Sequence, residues 1–269
     1  DAAFVWSLEG RYGTIVNSRS FQGSDSFNGL STLDLTPGDY TLTVDGSGAD
    51  AGAYAFRLLD TAIATPLVLD TTTSGTLAPA KSTGIYSFDG TAGERLFFQT
   101  LTQTGFQQAV LWRLLDPFGN TVFSSNFSSN VDTFALPVTG TYTLLMEGRH
   151  FDPAASGSFS FNVHSVSDTT APMTLGTTVS NTLGVGQRQS YTFSVTNSVL
   201  GSIDRLADVP FVWKLSGPTG ALVSGRSFQG SDSFNGLSLL NLTPGDYTLT
   251  VEGSGADAGA YAFRLLDTA

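Results

Sequence analysis

Residues 4 to 62 recur almost letter for letter as residues 211 to 269, with 48 of the 59 positions identical at an offset of 207. Over residues 19 to 62 only three of 44 positions differ, Thr32/Leu239, Asp34/Asn241 and Asp45/Glu252. A chain so repeated is a tandem array, and arrays multiply modules to build length or avidity rather than one active site.

A weaker third copy lies between these two. The three tryptophans, Trp6, Trp112 and Trp213, mark the same place in each, 106 and then 101 residues apart. Gly-Asp-Tyr-Thr-Leu-Thr-Val at 38 to 44 becomes Gly-Thr-Tyr-Thr-Leu-Leu-Met at 140 to 146 and returns unchanged at 245 to 251. A closing segment follows each time: Gly-Ala-Tyr-Ala-Phe-Arg-Leu at 52 to 58 and 259 to 265, and Gly-Ser-Phe-Ser-Phe-Asn-Val at 157 to 163. The unit is therefore about 100 residues, an ordinary domain size.

Period-two alternation dominates. Tyr40, Leu42 and Val44 share one face while Thr41 and Thr43 share the other. Tyr54, Phe56 and Leu58 alternate in the same way with Ala53, Ala55 and Arg57. Where Ser7 and Glu9 flank Leu8, the second copy has Lys214 and Ser216 around Leu215, so substitutions fall outward and the apolar positions stay. Turns are written between these runs as Asp-Pro-Phe-Gly-Asn (116 to 120), Gly-Pro-Thr-Gly (217 to 220) and Thr-Pro-Gly-Asp (36 to 39 and 243 to 246). No long run has helical spacing. The expected class is all-β: tandem antiparallel β-sandwiches, jelly-roll-like, with seven or eight strands in two sheets per module.

The expected boundaries are 1–62, the C-terminal half of a module, then complete modules at 63–167 and 168–269. Early strands are expected at Ser74–Leu77, Ile85–Phe88 and Arg95–Phe98, and in the last module at Ser180–Leu183 and Ser190–Phe193, with a weakened strand at Asp204–Ala207. Residues 1–62 lack early strands. A half sandwich exposes its inner face and strand edges, so preceding sequence of the array or a neighbouring chain is expected to complete it.

The series Ser-Gly-Thr-Leu, Tyr-x-Phe, Ala-Gly-Glu-Arg-Leu-Phe-Phe, Trp-Arg-Leu-Leu-Asp-Pro-Phe-Gly-Asn, Leu-Pro-Val-Thr-Gly-Thr-Tyr-Thr-Leu and Gly-Ser-Phe-Ser-Phe across 74 to 161 resembles the bacterial pre-peptidase C-terminal domain. That resemblance implies a small β-sandwich, appended to secreted peptidases or strung through large surface proteins. Its motifs are turns and core positions, and no binding residue of the family carries over.

Charge narrows the partners. Twelve Lys+Arg stand against 23 Asp+Glu, for a net charge of -11, and Lys81 and Lys214 are the only lysines. Nucleic acid, which needs clustered cations, is excluded on that basis. Cysteine is absent, which removes disulfides and thiolate metal sites. No apolar run is long enough for a membrane span. Thirty glycines and few charges suit an extracellular or cell-surface protein.

Candidate chemistry is sparse. His150 and His164 are the only histidines, both in the middle module, so a His-activated nucleophile is impossible in the repeats and no enzyme is expected. Calcium is the metal to consider. Gly-Ser-Asp-Ser-Phe-Asn-Gly at 23 to 29 and 230 to 236 offers Asp25, Asn28, Asp232 and Asn235, and Asp-Gly-Ser-Gly-Ala-Asp-Ala-Gly at 45 to 52, with its copy, offers Asp50 and Asp257. The same residues are what tight turns use, and the ligand spacing of an EF-hand loop is missing. No other cofactor is expected. Phe21, Phe27, Phe228 and Phe234 lie in Gly/Ser-rich stretches and could stack on a glycan or pack over the sandwich. The Asn-x-Ser/Thr triplets at Asn126 and Asn241 are read as chance, since Asn241 is Asp34 in the other copy.

The expected function is a non-enzymatic extracellular structural protein, a surface fibre, filament or stalk subunit whose partners are copies of itself or adjoining repeats. The alternative is an adhesin or substrate-targeting module of a secreted hydrolase, with a glycan or protein ligand.

Overall fold

The computed structural model describes residues 3–24, 32–231 and 239–268. Its chain forms two compact units, one of Asp1–Ala92, Thr100–Ser129 and Pro137–Asn162, the other of Gly93–Gln99, Asn130–Leu136 and Val163–Ala269. The fold is β throughout, with antiparallel sheets as expected.

The last nine strands show the design most completely. They are β13 (Thr169–Pro172), β14 (Val179–Leu183), β15 (Arg188–Val195), β16 (Val199–Arg205), β17 (Phe211–Gly217), β18 (Gly220–Ser227), β19 (Leu239–Leu242), β20 (Gly245–Gly253) and β21 (Gly259–Asp267). One sheet runs β13-β15-β20-β17-β18 and the other β14-β21-β16-β19. Setting β13 aside and counting from β14, the sheet orders are 2-7-4-5 and 1-8-3-6, which is a jelly roll. Trp213, Phe211, Leu249, Tyr261, Phe263 and Leu265 fill the space between the sheets. They lie on alternate residues of β17, β20 and β21, as period-two patterning requires.

The middle strands follow the same order. β4 (Thr65–Pro66), β6 (Thr83–Gly90), β11 (Gly140–Glu147), β8 (Leu111–Leu115) and β9 (Thr121–Asn126) make one sheet, in that sequence. β10 (Val131–Ala135), β7 (Arg95–Thr104), β12 (Gly157–Val166) and β5 (Thr73–Leu77) make the other. Turn chemistry closes the β8–β9 hairpin: Asp116 Oδ1 accepts from the backbone N–H of Phe118 and of Asn120, both at 2.9 Å, and Oδ2 from Asn120 Nδ2 at 3.0 Å. Partial burial alone would raise the Asp116 pKa, but these bonds to its ionised form outweigh that and hold it below the usual carboxylate value.

Two expectations need correction here. Among the described residues each full set has nine strands rather than seven or eight, because the connecting segment itself adds a short parallel strand: β4 pairs with β6, and β13 with β15. And the weak strand expected at Asp204–Ala207 is instead β16 at Val199–Arg205. Its inward series is Val199, Gly201, Ile203, and the glycine erases the apolar alternation. A Cβ at Gly201 would sit 3.1 Å from Leu242 Cδ1, so β19 uses the room that glycine leaves.

Among the described residues of 3–62 the strands are β1 (Phe4–Gly10), β2 (Gly13–Ser20) and β3 (Tyr40–Gly46), ordered β2-β1-β3. These match β18-β17-β20 pair for pair: Trp6↔Val44 and Leu8↔Leu42 become Trp213↔Val251 and Leu215↔Leu249. The late strand expected at 52–58 does not form, and residues 51–60 have no assigned secondary structure. Its identical copy is β21, which lies between β14 and β16. Among the described residues, 3–62 hold no equivalent of those two neighbours. A strand needs partners for its N–H and C=O groups, so the same sequence is strand in one place and irregular in the other.

Candidate functional site: the open face of residues 3–62

β3 ends its sheet, with β1 on one side. In the copy, the corresponding edge of β20 is paired with β15 through Arg188↔Glu252 to Val195↔Gly245. Among the described residues, β3 thus has no strand on the edge where its twin is covered.

Beside that edge lies an apolar surface. Tyr54, Phe56 and Leu58 are 53%, 50% and 60% exposed, whereas Tyr261, Phe263 and Leu265 are 2%, 0% and 0% exposed. The first three are nonetheless gathered as in the copy. Phe4–Tyr54 and Phe21–Phe56 ring centroids are 5.3 and 5.8 Å apart, and the matching Phe211–Tyr261 and Phe228–Phe263 distances are 5.8 and 5.9 Å. Segment 52–58 therefore already rests on Phe4 of β1 and on Phe21 through aromatic contacts.

The covering layer in the copy supplies polar complements too. Tyr191 and Tyr261 share a hydroxyl–hydroxyl bond of 2.6 Å, and the Tyr261 pKa is pushed far up, first by burial and then by that bond. Asp204 accepts from Arg264 Nε at 2.9 Å, and Glu252 pairs with Arg188 at 3.0 Å and with Lys214 at 2.5 Å. The counterparts are Tyr54, Arg57 and Asp45. Among the described residues none of the three has such a partner, and Ser7 stands where Lys214 would be.

The residues singled out from sequence fall elsewhere. Asp50 and Asp257 sit in loops that close on themselves, Asp50 N–H to Ser47 O at 3.3 Å and Asp257 N–H to Ser254 O at 3.2 Å. Their carbonyls fold against Gly46 and Gly253, where a Cβ would collide. Asp25, Asn28, Asp232 and Asn235 lie outside the described residues, as do Phe27 and Phe234. Among the described residues no three His, Asp or Glu side chains cluster as a metal would need. Phe228 is fully buried against Tyr261 and Phe263, whereas Phe21 is partly buried and packs on Phe4, Tyr54 and Phe56. His164 meets Gln99 Oε1 at 2.8 Å, and His150 packs edge-on against Phe151.

Three buried charged side chains escaped sequence reading. Asp152 is buried and accepts from the N–H groups of Gln107, Gln108 and Ala154 at 3.1, 3.0 and 2.9 Å, which ties two loops together. Arg113 and Glu147, on adjacent β8 and β11, form a buried ion pair at 3.4 Å. Nothing in a single sequence marks either, because the partners are remote along the chain. A shallow pocket of about 190 Å³ lies between the β1–β2 turn and residues 34–40, with Asp34, Asp39 and Arg11 in its lining.

No family model matches the chain, and no curated protein matches it. Among solved structures it is similar to a periplasmic inhibitor of g-type lysozyme from Aeromonas hydrophila, at 11% identity and TM-score 0.30, over 38% of this chain and 96% of that one. It is similar to the pre-peptidase C-terminal domain of a Bacillus anthracis collagenase, at 19% identity and TM-score 0.28, over 38% and 97%. A third likeness is to the CUB1-EGF-CUB2 domains of human MASP-1/3, at 7% identity and TM-score 0.25, over 71% and 99%.

Proposed function

We propose that the chain is a non-enzymatic structural array of extracellular β-sandwiches, part of a stalk, surface fibre or filament, with modules of the pre-peptidase C-terminal type at about 63–167 and 168–269. The observation that carries this reading is where the two near-identical copies differ. Of their 11 differences, eight fall between residues 7 and 18, on the outer face of β1, in the β1–β2 turn and along β2. The aromatic and aliphatic inward positions are kept. What is multiplied is a packing unit.

The joint between successive modules supports it. Arg95 pairs with Asp168, and Asp168 Oδ1 also accepts from the Arg188 N–H at 2.9 Å. Thr133 donates to Gly186 O at 3.0 Å, with Gly186 tight against Phe97. These groups belong to one compact unit, and the connection at 166–169 is only a few residues long. A short connection whose flanking residues are bonded within one compact unit suits a stalk. The Asp50 and Asp257 loops act in it as turns, with no metal.

Small-angle scattering on the chain and on a version lengthened by one further 207-residue unit tests this. Maximum dimension rising in proportion to the number of modules is expected. A lengthened chain that folds back to a compact particle would sink the proposal.

A further inference from the structure

We infer that the open face of residues 3–62 is an acceptor for the early half of a module of the same repeat, a segment with the strand pattern of residues 176–207. This rests on reading the chain as an array, and it names the occupant. The near-identical surface at 211–268 identifies it, because there the covering layer is seen.

Three strands of the copy, β15 in one sheet and β14 and β16 in the other, have no equivalent among the described residues of 3–62. A strand like β15 would pair with the free edge of β3, and its inward side chains would meet known surfaces. Phe193 stacks on Tyr247 at 5.2 Å and 12°, and Tyr40 is the Tyr247 counterpart. Tyr191 bonds to Tyr261, and Tyr54 is the counterpart. Strands like β14 and β16 would flank 52–58, as Asn181↔Tyr261 and Ile203↔Leu265 flank β21. Charge complements shape. An Asp204 equivalent would meet Arg57, and an Arg188 equivalent would meet Asp45, restoring pairs that the copy makes at 2.9 and 3.0 Å. A glycan or unrelated peptide has no reason to match this alternation of apolar rows and opposite charges.

The connection in the copy shows where the occupant would end. β16 ends at Arg205 and β17 begins at Phe211, so the layer's last strand reaches β17 through residues 206–210 alone. An occupant placed likewise ends beside the start of β1. Insertion then gives segment 52–58 two strand neighbours and converts it to the β21 conformation.

The test uses the full chain in two forms, extended ahead of Asp1 by residues 168–207, and unextended with a synthetic segment 176–207 added. Hydrogen exchange is followed over residues 45–58, which Asp45 distinguishes by mass from 252–265. The extended chain is expected to protect 52–58 to the level of 259–265. The free segment, at about 100 times its Kd, is expected to slow exchange there about 100-fold. Tyr191→Asp with Phe193→Asp in either form places carboxylates on the inner face and should abolish both effects.

No protection in either form overturns the inference, as does equal protection by the substituted segment. Protection of 52–58 by either form, lost on substitution, upholds it. Concentration-dependent protection of the unextended chain alone, meaning that a second copy fills the face, overturns the occupant. An extended chain that is protected yet compact in scattering upholds the inference and refutes the fibre reading, so the two fail separately.

Discussion

Phe56 and Phe263 occupy the same place in two copies of one sequence, and truncating each to alanine should have unequal costs. Phe263 is fully buried, with ring neighbours Tyr191, Phe228 and Tyr261 at 5.6, 5.9 and 6.3 Å. Phe263→Ala leaves an enclosed cavity, and core Phe→Ala changes cost about 3–5 kcal/mol. Phe56 is half exposed, touching Phe21 and Tyr54 at 5.8 and 6.4 Å with solvent beyond. About half of a roughly 2 kcal/mol transfer term is at stake, so Phe56→Ala should cost about 1 kcal/mol, with no enclosed cavity to add to it. The gap of at least about 2 kcal/mol is a factor of about 30 in an opening equilibrium. Urea titration with pulsed hydrogen exchange reads each copy separately, since Ser7 against Lys214 and Asp45 against Glu252 distinguish the peptides. Equal costs in the two copies would refute the claim that one face is open and the other closed.

Three further outcomes follow from the middle module and the loops. Glu147→Leu strands the buried Arg113 guanidinium and should cost about 3–5 kcal/mol, whereas Arg113→Met with Glu147→Leu should recover most of that; a double variant no more stable than the single, by chemical denaturation, would contradict it. Asp116 has a lowered folded pKa, so its contribution is full above the unfolded value of about 3.9 and is lost as pH falls through the lower folded value. The stability difference between the native chain and Asp116→Asn should therefore shrink as acid is added below that value; a difference that grows would reverse the sign. Chelation should leave the Tm unchanged, since the Asp50 and Asp257 loops close through their own backbone; a Tm that rises with added calcium would count against the turn reading.

Much of the architecture was legible because alternation reports local burial. Ser74–Leu77, Ile85–Phe88 and Ser190–Phe193 all lie within strands, and the 116–120 turn forms through the Asp116 side chain. β16 was misplaced because Gly201 removes the apolar signal at an inward position. Segment 52–58 was misread for a deeper reason. Residues 46–62 and 253–269 are identical, so no local rule can tell them apart, and only the presence of β14 and β16 decides. The open face itself is legible from order alone, because residues 1–62 carry the Trp strand and the late strands of a module without its early ones. Its polar complements were not, because Arg264–Asp204 and Tyr191–Tyr261 join residues 60 and 70 positions apart.

Hydrogen exchange on the unaltered chain, comparing amides of residues 53–58 with those of 260–265, tests the central claim most directly. The expected result is fast exchange in the first set and strong protection in the second, despite identical sequence. Equal protection in both would contradict it, since residues 53–58 would then be bonded as a strand without the neighbours that β21 requires.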